Sequence, residues 1–239
     1  MIGHMKAKKP PVIILHGWAI DYQNHLKWQP LIDELNAAGV EATFFSLPGL
    51  SSPLSQAWGL NDYVNWLHKE LSEYEHVILM GHSFGGQLAV RYTSIFPEKV
   101  QKLILIDAAG IQPFTTKAKV KRAVFGTAAK IGKVLFPFDV GRTVLHKLAR
   151  ERDYLEASPV MRETMRNVLA DEVLEDMPNI AVETLILWGD QDAATPPSHA
   201  RIFSAKIQHS RLHFIEGARH SPQFTHIKQV AEQVVEFLQ

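Results

Sequence analysis

The residues most clearly suited to catalysis lie in the segment from Gly81 to Gly85, which has the pattern Gly-x-Ser-x-Gly around Ser83. This pattern is typical of a sharp turn between a strand and a helix, which lifts a serine hydroxyl above a sheet. Such a turn strains the serine backbone and crowds the positions two residues before and after it, where only glycine fits. An apolar segment, His76–Met80, precedes the motif and a helical pattern follows it, so Ser83 is the predicted nucleophile.

A serine hydroxyl is a weak nucleophile unless a base takes its proton and a third group orients that base. Two suitable residues follow later in the chain, each just after an apolar strand candidate. Asp192 follows Thr184–Trp188, and His220 follows Leu212–Ile215. Because the carboxyl ends of parallel strands meet at one sheet edge, we expect Ser83, Asp192 and His220 to form a catalytic triad.

The acid of this triad has two other candidates. Asp190 lies in the same loop as Asp192, and Asp107 ends the strand candidate before the long helical interval. We favour Asp192 because two further residues let the loop reach across to His220.

Attack by serine generates an oxyanion, which preorganised donors must stabilise. The expected donors are the backbone N–H groups of Phe84 and of Trp18, the latter in the loop after the first strand candidate. Gly17 allows that loop to approach the nucleophile. The Trp18 side chain either lines the substrate pocket or is structural, and His16 and His82 are expected to brace the site.

The elements that must position these residues follow from the alternation of short apolar runs with amphipathic segments, which is typical of a parallel sheet with crossover helices. The strand candidates are Val12–Leu15, Ala42–Ser46, His76–Met80, Lys102–Ile106, Thr184–Trp188 and Leu212–Ile215. The helix candidates between them are Leu26–Ala38, Asp62–Tyr74, Phe84–Phe96, Pro197–Lys206 and Pro222–Leu238. The fold class is therefore α/β, with a mostly parallel sheet of about six strands.

One interval carries no strand pattern. Residues 112–178 are predicted to be helical, at Thr116–Leu135, at Val140–Arg150 and in a helix that begins at Ser158-Pro159. We expect this interval to be a helical cap inserted at the carboxyl edge of the sheet, in a core formed by residues 11–111 and 179–239. The alternative is a second helical domain with no part in function.

Four apolar side chains of the predicted cap are candidates for substrate selection: Phe114, Phe136, Phe138 and Met161. They could equally pack only within the cap. The cap is also polarised, since nine of the ten charged residues of 112–150 are basic and eight of the eleven in 151–178 are acidic. The basic half could form an interfacial surface, an entry for anionic substrates, or a solvated lid face.

The composition excludes several classes of function. With 25 basic and 25 acidic residues, the chain lacks the basic excess of a nucleic-acid binder. It has no cysteine, which rules out a disulfide framework, a thiolate metal site and a cysteine nucleophile. No apolar run approaches the roughly 18 residues of a membrane span, and no secretion signal is apparent. We expect a cytoplasmic protein that acts on a small molecule, with no integral membrane association and no metal.

In its order of motifs, the sequence resembles the α/β-hydrolase superfamily, and most closely small bacterial carboxylesterases with a helical cap. The motifs that carry the resemblance are Leu15–Trp18, Leu47–Gly49, Gly81–Gly86, Trp188–Asp192 and His220. The resemblance implies a hydrolase without a cofactor that acts through an acyl-enzyme on Ser83, with its active site beneath the cap.

Three departures from the family pattern matter. Only about ten residues precede Val12, so we expect the family's first two antiparallel strands to be missing. Ser46 stands where the family often has aspartate, which weakens any substrate or bracing role at that corner. The chain lacks the Gly-Pro-Gly continuation after Gly17 that is common in hydrolases of ring-cleavage products. A serine at the turn also argues against haloalkane dehalogenases and epoxide hydrolases, which use aspartate.

The predicted function is hydrolysis of carboxylic esters of short to medium acyl chain. One alternative is carbon–carbon bond hydrolysis on the same triad, which cap arginines such as Arg142 or Arg162 would favour by binding an acidic substrate. The other is a ligand sensor of the same fold with slow turnover, read by a partner protein.

Overall fold

The computed structural model describes residues 9–19, 24–112 and 157–239. Its centre is a six-stranded sheet in which every neighbouring pair is parallel, in the order β2-β1-β3-β4-β5-β6. The strands are β1 (Val12–Leu15), β2 (Ala42–Phe45), β3 (Val77–His82), β4 (Val100–Ile106), β5 (Glu183–Gly189) and β6 (Ser210–Ile215). The predicted fold class and strand number are confirmed, and each predicted strand overlaps an observed one.

The described ranges contain seven α-helices and two short 3-10 helices at Pro97–Lys99 and Met177–Asn179. The α-helices are α1 (Asn24–Ala37), α2 (Leu60–Glu70), α3 (Phe84–Ile95), α4 (Pro159–Ala170), α5 (Pro197–Lys206), α6 (Pro222–Thr225) and α7 (Ile227–Leu238). The predicted single helix Pro222–Leu238 is thus two helices. The break lies at His226, whose backbone (φ −130°, ψ 45°) leaves the helical region.

The sheet is covered by helices on both faces, which explains the continuous apolar character of its inner strands. Alternate residues of strands β1 to β5 belong to two separate core clusters. One cluster packs α1 and α7 against the sheet, and the other packs α2, α3, α4 and α5 against the opposite face. The edge strand β2 is only half-buried, whereas β1 and β3 are buried throughout.

Residues 157–178 pack directly on the helices of the sheet domain. Helix α4 begins as predicted, with the Ser158 side chain accepting a hydrogen bond from the Met161 backbone N–H at 3.2 Å. Beyond its end, Asp176 accepts a hydrogen bond from Arg91 Nε of α3 at 2.7 Å. The predicted helices at Thr116–Leu135 and Val140–Arg150 lie outside the described residues, so the predicted extent of the cap stays a prediction.

The strand order places a topological switch between β1 and β3. The chain moves from β1 to β2 on one side and then builds β3 to β6 on the other. At such a point the loops after the two central strands part, and the crevice at their carboxyl ends is the usual ligand site of an open α/β sheet. The loop His16–Trp18 and the turn at Ser83 both leave the sheet there. No helix in the described ranges has the length and apolarity needed to cross a bilayer.

Candidate active site

The turn at Ser83 has the strained geometry that its sequence predicts. Ser83 lies between β3 and α3 with φ 52° and ψ −116°, a conformation that side-chain-bearing residues rarely adopt. Two backbone hydrogen bonds to the neighbouring strand end hold it: Ser83 N–H donates to Ile106 O at 3.1 Å, and Ala109 N–H donates to Ser83 O at 2.9 Å. This support fixes the hydroxyl at the carboxyl edge of the sheet.

The glycines of the motif are required by close contacts. A Cβ atom at Gly81 would collide with the backbone of Gly85 and Gly86 at the start of α3. A Cβ atom at Gly85 would collide with the backbone of Leu15 at the end of β1. Any side chain at these positions would therefore push the helix off the sheet and displace the serine.

Ser83, His220 and Asp192 form a continuous chain of hydrogen bonds. Ser83 Oγ lies 3.0 Å from His220 Nε2, and His220 Nδ1 lies 2.8 Å from Asp192 Oδ2. The serine hydroxyl can donate to Nε2 only if the proton of the neutral imidazole sits on Nδ1, which the carboxylate favours. The three predicted triad residues, taken from turns after β3, β5 and β6, are thus brought together.

Asp192 is held as a carboxylate. Burial opposes its ionisation, but its hydrogen bond to His220 and further donors outweigh burial and keep its pKa below the usual value. Oδ1 accepts from the backbone N–H groups of Ala194 at 2.7 Å and Thr195 at 3.1 Å, and Oδ2 accepts from Thr195 Oγ1 at 2.6 Å. The carboxylate is therefore ready to stabilise a positive charge on His220.

Thr195 is a site residue that the sequence analysis did not identify. Besides its bond to Asp192, its hydroxyl oxygen lies 3.3 Å from His220 Nδ1 and 3.2 Å from the backbone oxygen of Asp107. The sequence signalled only the turn, because a loop aspartate often accepts hydrogen bonds from backbone N–H groups a few residues later; nothing in it marked the Thr195 hydroxyl.

Asp107 and Asp190, the alternative acids, have different surroundings. Asp190 is exposed, and its Oδ1 accepts from Gly217 N–H at 2.8 Å, which ties the two loops together. Asp107 is fully buried at the end of β4, and its Oδ1 accepts from Gly189 N–H at 2.8 Å. Burial raises the pKa of Asp107 well above its usual value, and the nearby charge of Asp192 raises it further.

His16 and His82 brace the site, as expected from the sequence. His16 Nε2 accepts from Leu47 N–H at 3.1 Å, so Nδ1 carries the proton and donates to Gly17 O at 2.8 Å. His82 Nε2 lies 2.8 Å from the backbone oxygen of His220 and fastens the loop that carries this histidine. Burial lowers the pKa of His16 to about 4 and that of His82 to about 3, so both rings are neutral.

The candidate oxyanion donors flank the serine. Phe84 is the first residue of α3, so its N–H has no acceptor within the helix. A Cβ atom at Gly17 would lie 3.0 Å from Ser83 Cβ, which shows how closely the loop before Trp18 approaches the nucleophile. The Trp18 ring packs on Phe84 with 5.5 Å between ring centroids, and its buried Nε1 has no partner among the described residues.

The predicted substrate-binding residues are placed only in part. Met161 is 4% exposed and belongs to the same core cluster as Phe84, with its thioether against Gly49. Phe114, Phe136 and Phe138 lie outside the described residues, as does Arg142. Arg162 Nε donates to the backbone oxygen of Ala157 at 3.0 Å. The substrate pocket therefore stays a prediction.

Comparison with known proteins agrees with this architecture. A model described as the alpha/beta hydrolase family matches residues 12–233. The chain is similar to a putative non-heme chloroperoxidase of Synechocystis sp., with 26% identity over 96% of this chain and 91% of the relative. It is also similar to a monoacylglycerol lipase of Rattus norvegicus, with 24% identity over 96% of this chain and 75% of the relative.

Solved structures share the fold. A meta-cleavage product hydrolase from Pseudomonas fluorescens IP01 superposes with a TM-score of 0.69 at 21% identity, covering 96% of this chain and 90% of that protein. Because the family model covers nearly the whole length that carries the sheet and the three triad residues, the resemblance to the α/β-hydrolase superfamily is confirmed. This chain belongs to the alpha/beta hydrolase family.

Proposed function

We propose that the protein is a serine hydrolase that cleaves carboxylic esters of short to medium acyl chain through an acyl-enzyme on Ser83. The observation that carries this proposal is the hydrogen-bond chain from Ser83 Oγ through His220 to Asp192, with separations of 3.0 and 2.8 Å. This arrangement matches the geometry by which a serine hydroxyl is activated for acyl transfer.

In the acylation step, Ser83 Oγ attacks the ester carbonyl carbon while its proton passes to His220 Nε2. The ester oxygen becomes an oxyanion, which the backbone N–H groups of Trp18 and Phe84 stabilise. Asp192 stabilises the imidazolium through Nδ1. When the tetrahedral intermediate collapses, the bond to the alcohol oxygen breaks and His220 returns the proton to the departing alcohol.

Deacylation repeats these events with water. His220 takes a proton from a water molecule, whose oxygen attacks the acyl carbon and displaces Ser83 Oγ, which regains a proton from the imidazolium. Neutral His82 supports both steps, because a positively charged ring beside His220 would oppose its protonation. The pKa of His82, which burial lowers to about 3, keeps that ring neutral.

The substrate class follows from the predicted cap and from the chemistry of the triad. The predicted cap, residues 112–178, would close over the site, with Phe114, Phe136, Phe138 and Met161 selecting the acyl or aromatic group. A monoacylglycerol lipase among the relatives acts on an ester, which supports this class. The chemistry needs no cofactor, and we infer a small-molecule substrate and a cytoplasmic protein.

The test is a panel of p-nitrophenyl esters with acyl chains from acetate to palmitate, assayed on the wild type and on Ser83→Ala. We expect turnover that is highest for short and medium chains and absent in the variant. A fluorophosphonate probe should label Ser83 in the wild type and not in His220→Ala, since labelling requires the activated hydroxyl. If the folded wild type is not labelled, the proposal is wrong.

Two other outcomes would favour the alternative functions, a ligand sensor or a carbon–carbon bond hydrolase. Stoichiometric acylation of Ser83 without turnover would indicate a ligand sensor rather than an enzyme. Cleavage of a vinylogous 1,5-diketone acid at a rate well above that of any ester would indicate carbon–carbon bond hydrolysis. Arg162 Nε donates to the Ala157 carbonyl at 3.0 Å, so this nitrogen is already engaged within the protein.

A further inference from the structure

Helix α4, the last helix of the predicted cap, ends against α3, the helix that follows Ser83. The last carbonyl groups of an α-helix have no partners within the helix, so side chains or water must satisfy them. At the end of α4 and just beyond it, side chains of the sheet domain donate hydrogen bonds to five consecutive backbone oxygens. The pairs are Gln87 with Val168 and Asp171 (3.0 and 2.9 Å), Gln112 with Leu169 and Ala170 (3.0 and 3.2 Å), and Arg91 with Glu172 (2.9 Å).

Among these donors, Gln87 is nearest to the nucleophile in the chain. It follows Ser83 by about one helical turn, and its backbone N–H donates to Ser83 O at 3.1 Å. Its side chain is 2% exposed, and its Nε2 donates to both Val168 O and Asp171 O. Because both partners are carbonyl oxygens, only the nitrogen of the amide can face them. One buried side chain therefore joins the helix of the nucleophile to the end of α4.

Arg91, about one turn further along α3, attaches the segment that leaves α4. Its Nε donates to Asp176 Oδ2 at 2.7 Å, and Ser94 Oγ donates to Asp176 Oδ1 at 3.1 Å. The backbone oxygen of Glu172 accepts from the same arginine. Both the end of α4 and the chain beyond it are thus held by α3.

The middle of α4 contacts aromatic side chains that lead to the residue beside the nucleophile. The Trp58 backbone N–H donates to the buried Thr164 Oγ1 at 3.0 Å. The Trp58 ring packs edge-on against Tyr63 with 5.0 Å between centroids, and Tyr63 packs edge-on against Phe84 at 4.9 Å. Met161, three residues before Thr164, belongs to the same core cluster as Phe84. A shift of α4 would therefore disturb the side chains next to Ser83.

We propose that Gln87 is a positioning residue that fixes α4 as a wall of the acyl-binding site and thereby sets the preference for acyl chain length. The proposal rests on the proposed function, in which Met161 of α4 helps to select the acyl group. Gln87 acts through α4 rather than on the reacting atoms. A wall that is held in one position discriminates between chains of different length, whereas a wall that can shift adapts to them.

The activity test compares the wild type with Gln87→Met, which keeps the length of the side chain and removes both donors. The substrates are p-nitrophenyl acetate and p-nitrophenyl octanoate. We expect KM for the octanoate ester to rise about tenfold with kcat nearly kept, because a displaced wall loses apolar contact with the chain. The acetate ester, whose acyl group offers only one methyl group for such contact, should change less. A fluorophosphonate with a short alkyl chain should label Ser83 at nearly the wild-type rate.

The matched control is Thr93→Val, also on α3. The Thr93 side chain is buried, and its hydroxyl donates to Ala89 O at 2.7 Å, a hydrogen bond that lies wholly within α3. Its loss perturbs the same helix without removing a hydrogen bond to α4. We expect the ratio of kcat/KM for octanoate to that for acetate to stay at the wild-type value in this variant.

A second measurement does not depend on turnover. Backbone hydrogen exchange is followed by mass spectrometry in the wild type, Gln87→Met and Thr93→Val. We expect the amides of α4 to exchange about tenfold faster in Gln87→Met, because two hydrogen bonds that oppose local opening of this helix are lost. In Thr93→Val they should exchange at the wild-type rate. Urea unfolding establishes that each variant is folded.

An unchanged octanoate-to-acetate ratio in Gln87→Met, or the same change in Thr93→Val, would overturn the proposal. Slower labelling of Ser83 with equal losses on both esters would also overturn it, since Gln87 would then act on the nucleophile rather than through α4. If the wild type hydrolyses no ester, the proposed function fails by itself, and the exchange rates still decide whether Gln87 fixes α4.

Discussion

The loops after β4 and β5 each place one buried carboxyl group at the same edge of the sheet, yet the pKa values of the two groups are shifted in opposite directions, raised for Asp107 and lowered for Asp192. Asp107 and Asp192 are 0% and 3% exposed, so burial does not distinguish them. The difference lies in the donors that each loop supplies. Asp192 accepts from two backbone N–H groups, the Thr195 hydroxyl and His220, whereas among the described residues Asp107 accepts only from the Gly189 N–H.

This comparison shows how the fold assigns one acid to the triad. Burial penalises both carboxylates, and only hydrogen bonds to the charged form can offset that penalty. The loop after β5 curls back so that residues 194 and 195 point their N–H groups at Asp192. In the loop after β4, Asp107 instead accepts one hydrogen bond from the Gly189 N–H, which holds the start of the loop after β5. The conformation of each loop thus decides how many donors offset the cost of burial, and with it the direction in which each pKa moves.

The largest loss of activity is expected from Asp192→Asn, which tests whether Asp192 is the acid of the triad. We expect kcat/KM for a p-nitrophenyl ester to fall about 10³–10⁴-fold, because the amide cannot stabilise the imidazolium and favours the wrong tautomer. Asp190→Asn is the matched control, since its Oδ1 can still accept from Gly217 N–H. Equal losses in the two variants would show that Asp192 is not the acid.

A smaller loss is expected from Thr195→Ala, which removes one donor from the ionised carboxylate. A hydrogen bond to a charged group contributes about 1.5–3 kcal/mol, so kcat/KM should fall about tenfold to a hundredfold. The pKa of Asp192 should also rise, because the Thr195 hydroxyl donates to its charged form. Thr195→Ser retains the hydroxyl and should restore most of the activity; a serine variant as poor as the alanine variant would contradict this role.

Asp107→Leu and Asp107→Asn test how much the hydrogen bond between Asp107 and Gly189 contributes to stability. Leucine leaves the buried Gly189 N–H without an acceptor, which should lower the free energy of unfolding by about 1–3 kcal/mol. Asparagine keeps the acceptor and should lose less. Urea unfolding of both variants measures the difference, and equal stabilities would mean that the bond to Gly189 contributes little.

The smallest expected effect is on the pH dependence of stability, which tests the direction of the Asp107 pKa shift. The folded-state pKa of Asp107 is raised, so its contribution to stability is present below the ordinary aspartate pKa of about 3.9 and is lost as pH rises. Asp107→Asn should therefore gain stability relative to the wild type as pH increases above about 4, by at most about 1.4 kcal/mol per pH unit.

Asp192 should show the reverse slope. Its folded-state pKa is lowered, so its contribution is present above the ordinary value and is lost as pH falls. The deficit of Asp192→Asn relative to the wild type should shrink as pH falls through the acid range. Parallel urea titrations of the two variants between about pH 2 and pH 8 check both signs. Slopes of the same sign would contradict pKa shifts in opposite directions.

Much of this arrangement could be predicted from the sequence because it depends on local rules. The apolar runs predicted all six strands of the described sheet, and the Gly-x-Ser-x-Gly pattern predicted the strained turn at Ser83. The order of Ser83, Asp192 and His220 predicted which side chains meet. Each of these inferences needs only the composition of a segment and its place after a strand.

What the sequence could not predict depends on how distant loops meet. Asp107 has one oxygen without a partner among the described residues, and one of its oxygens lies within 4.8 Å of ring nitrogens of His82 and His220; both features result from the packing of three separate strand ends. The break at His226 was also missed, because Pro222 to Leu238 has a continuous helical pattern and only the local backbone of His226 interrupts it. The extent of the predicted cap stays untested, since most of it lies outside the described residues.

The position of His220 after an edge strand has a consequence for when activity can arise during synthesis. Ser83 and His220 are 137 residues apart in the chain, and the base reaches the nucleophile only once β6 has paired with β5 at the sheet edge. Contacts between such distant residues form late, because loop closure must come first. A nascent chain that already displays a finished turn at Ser83 is therefore inert until its last strand is added. Labelling of Ser83 by a fluorophosphonate would then report when the last strand of the described sheet has joined it.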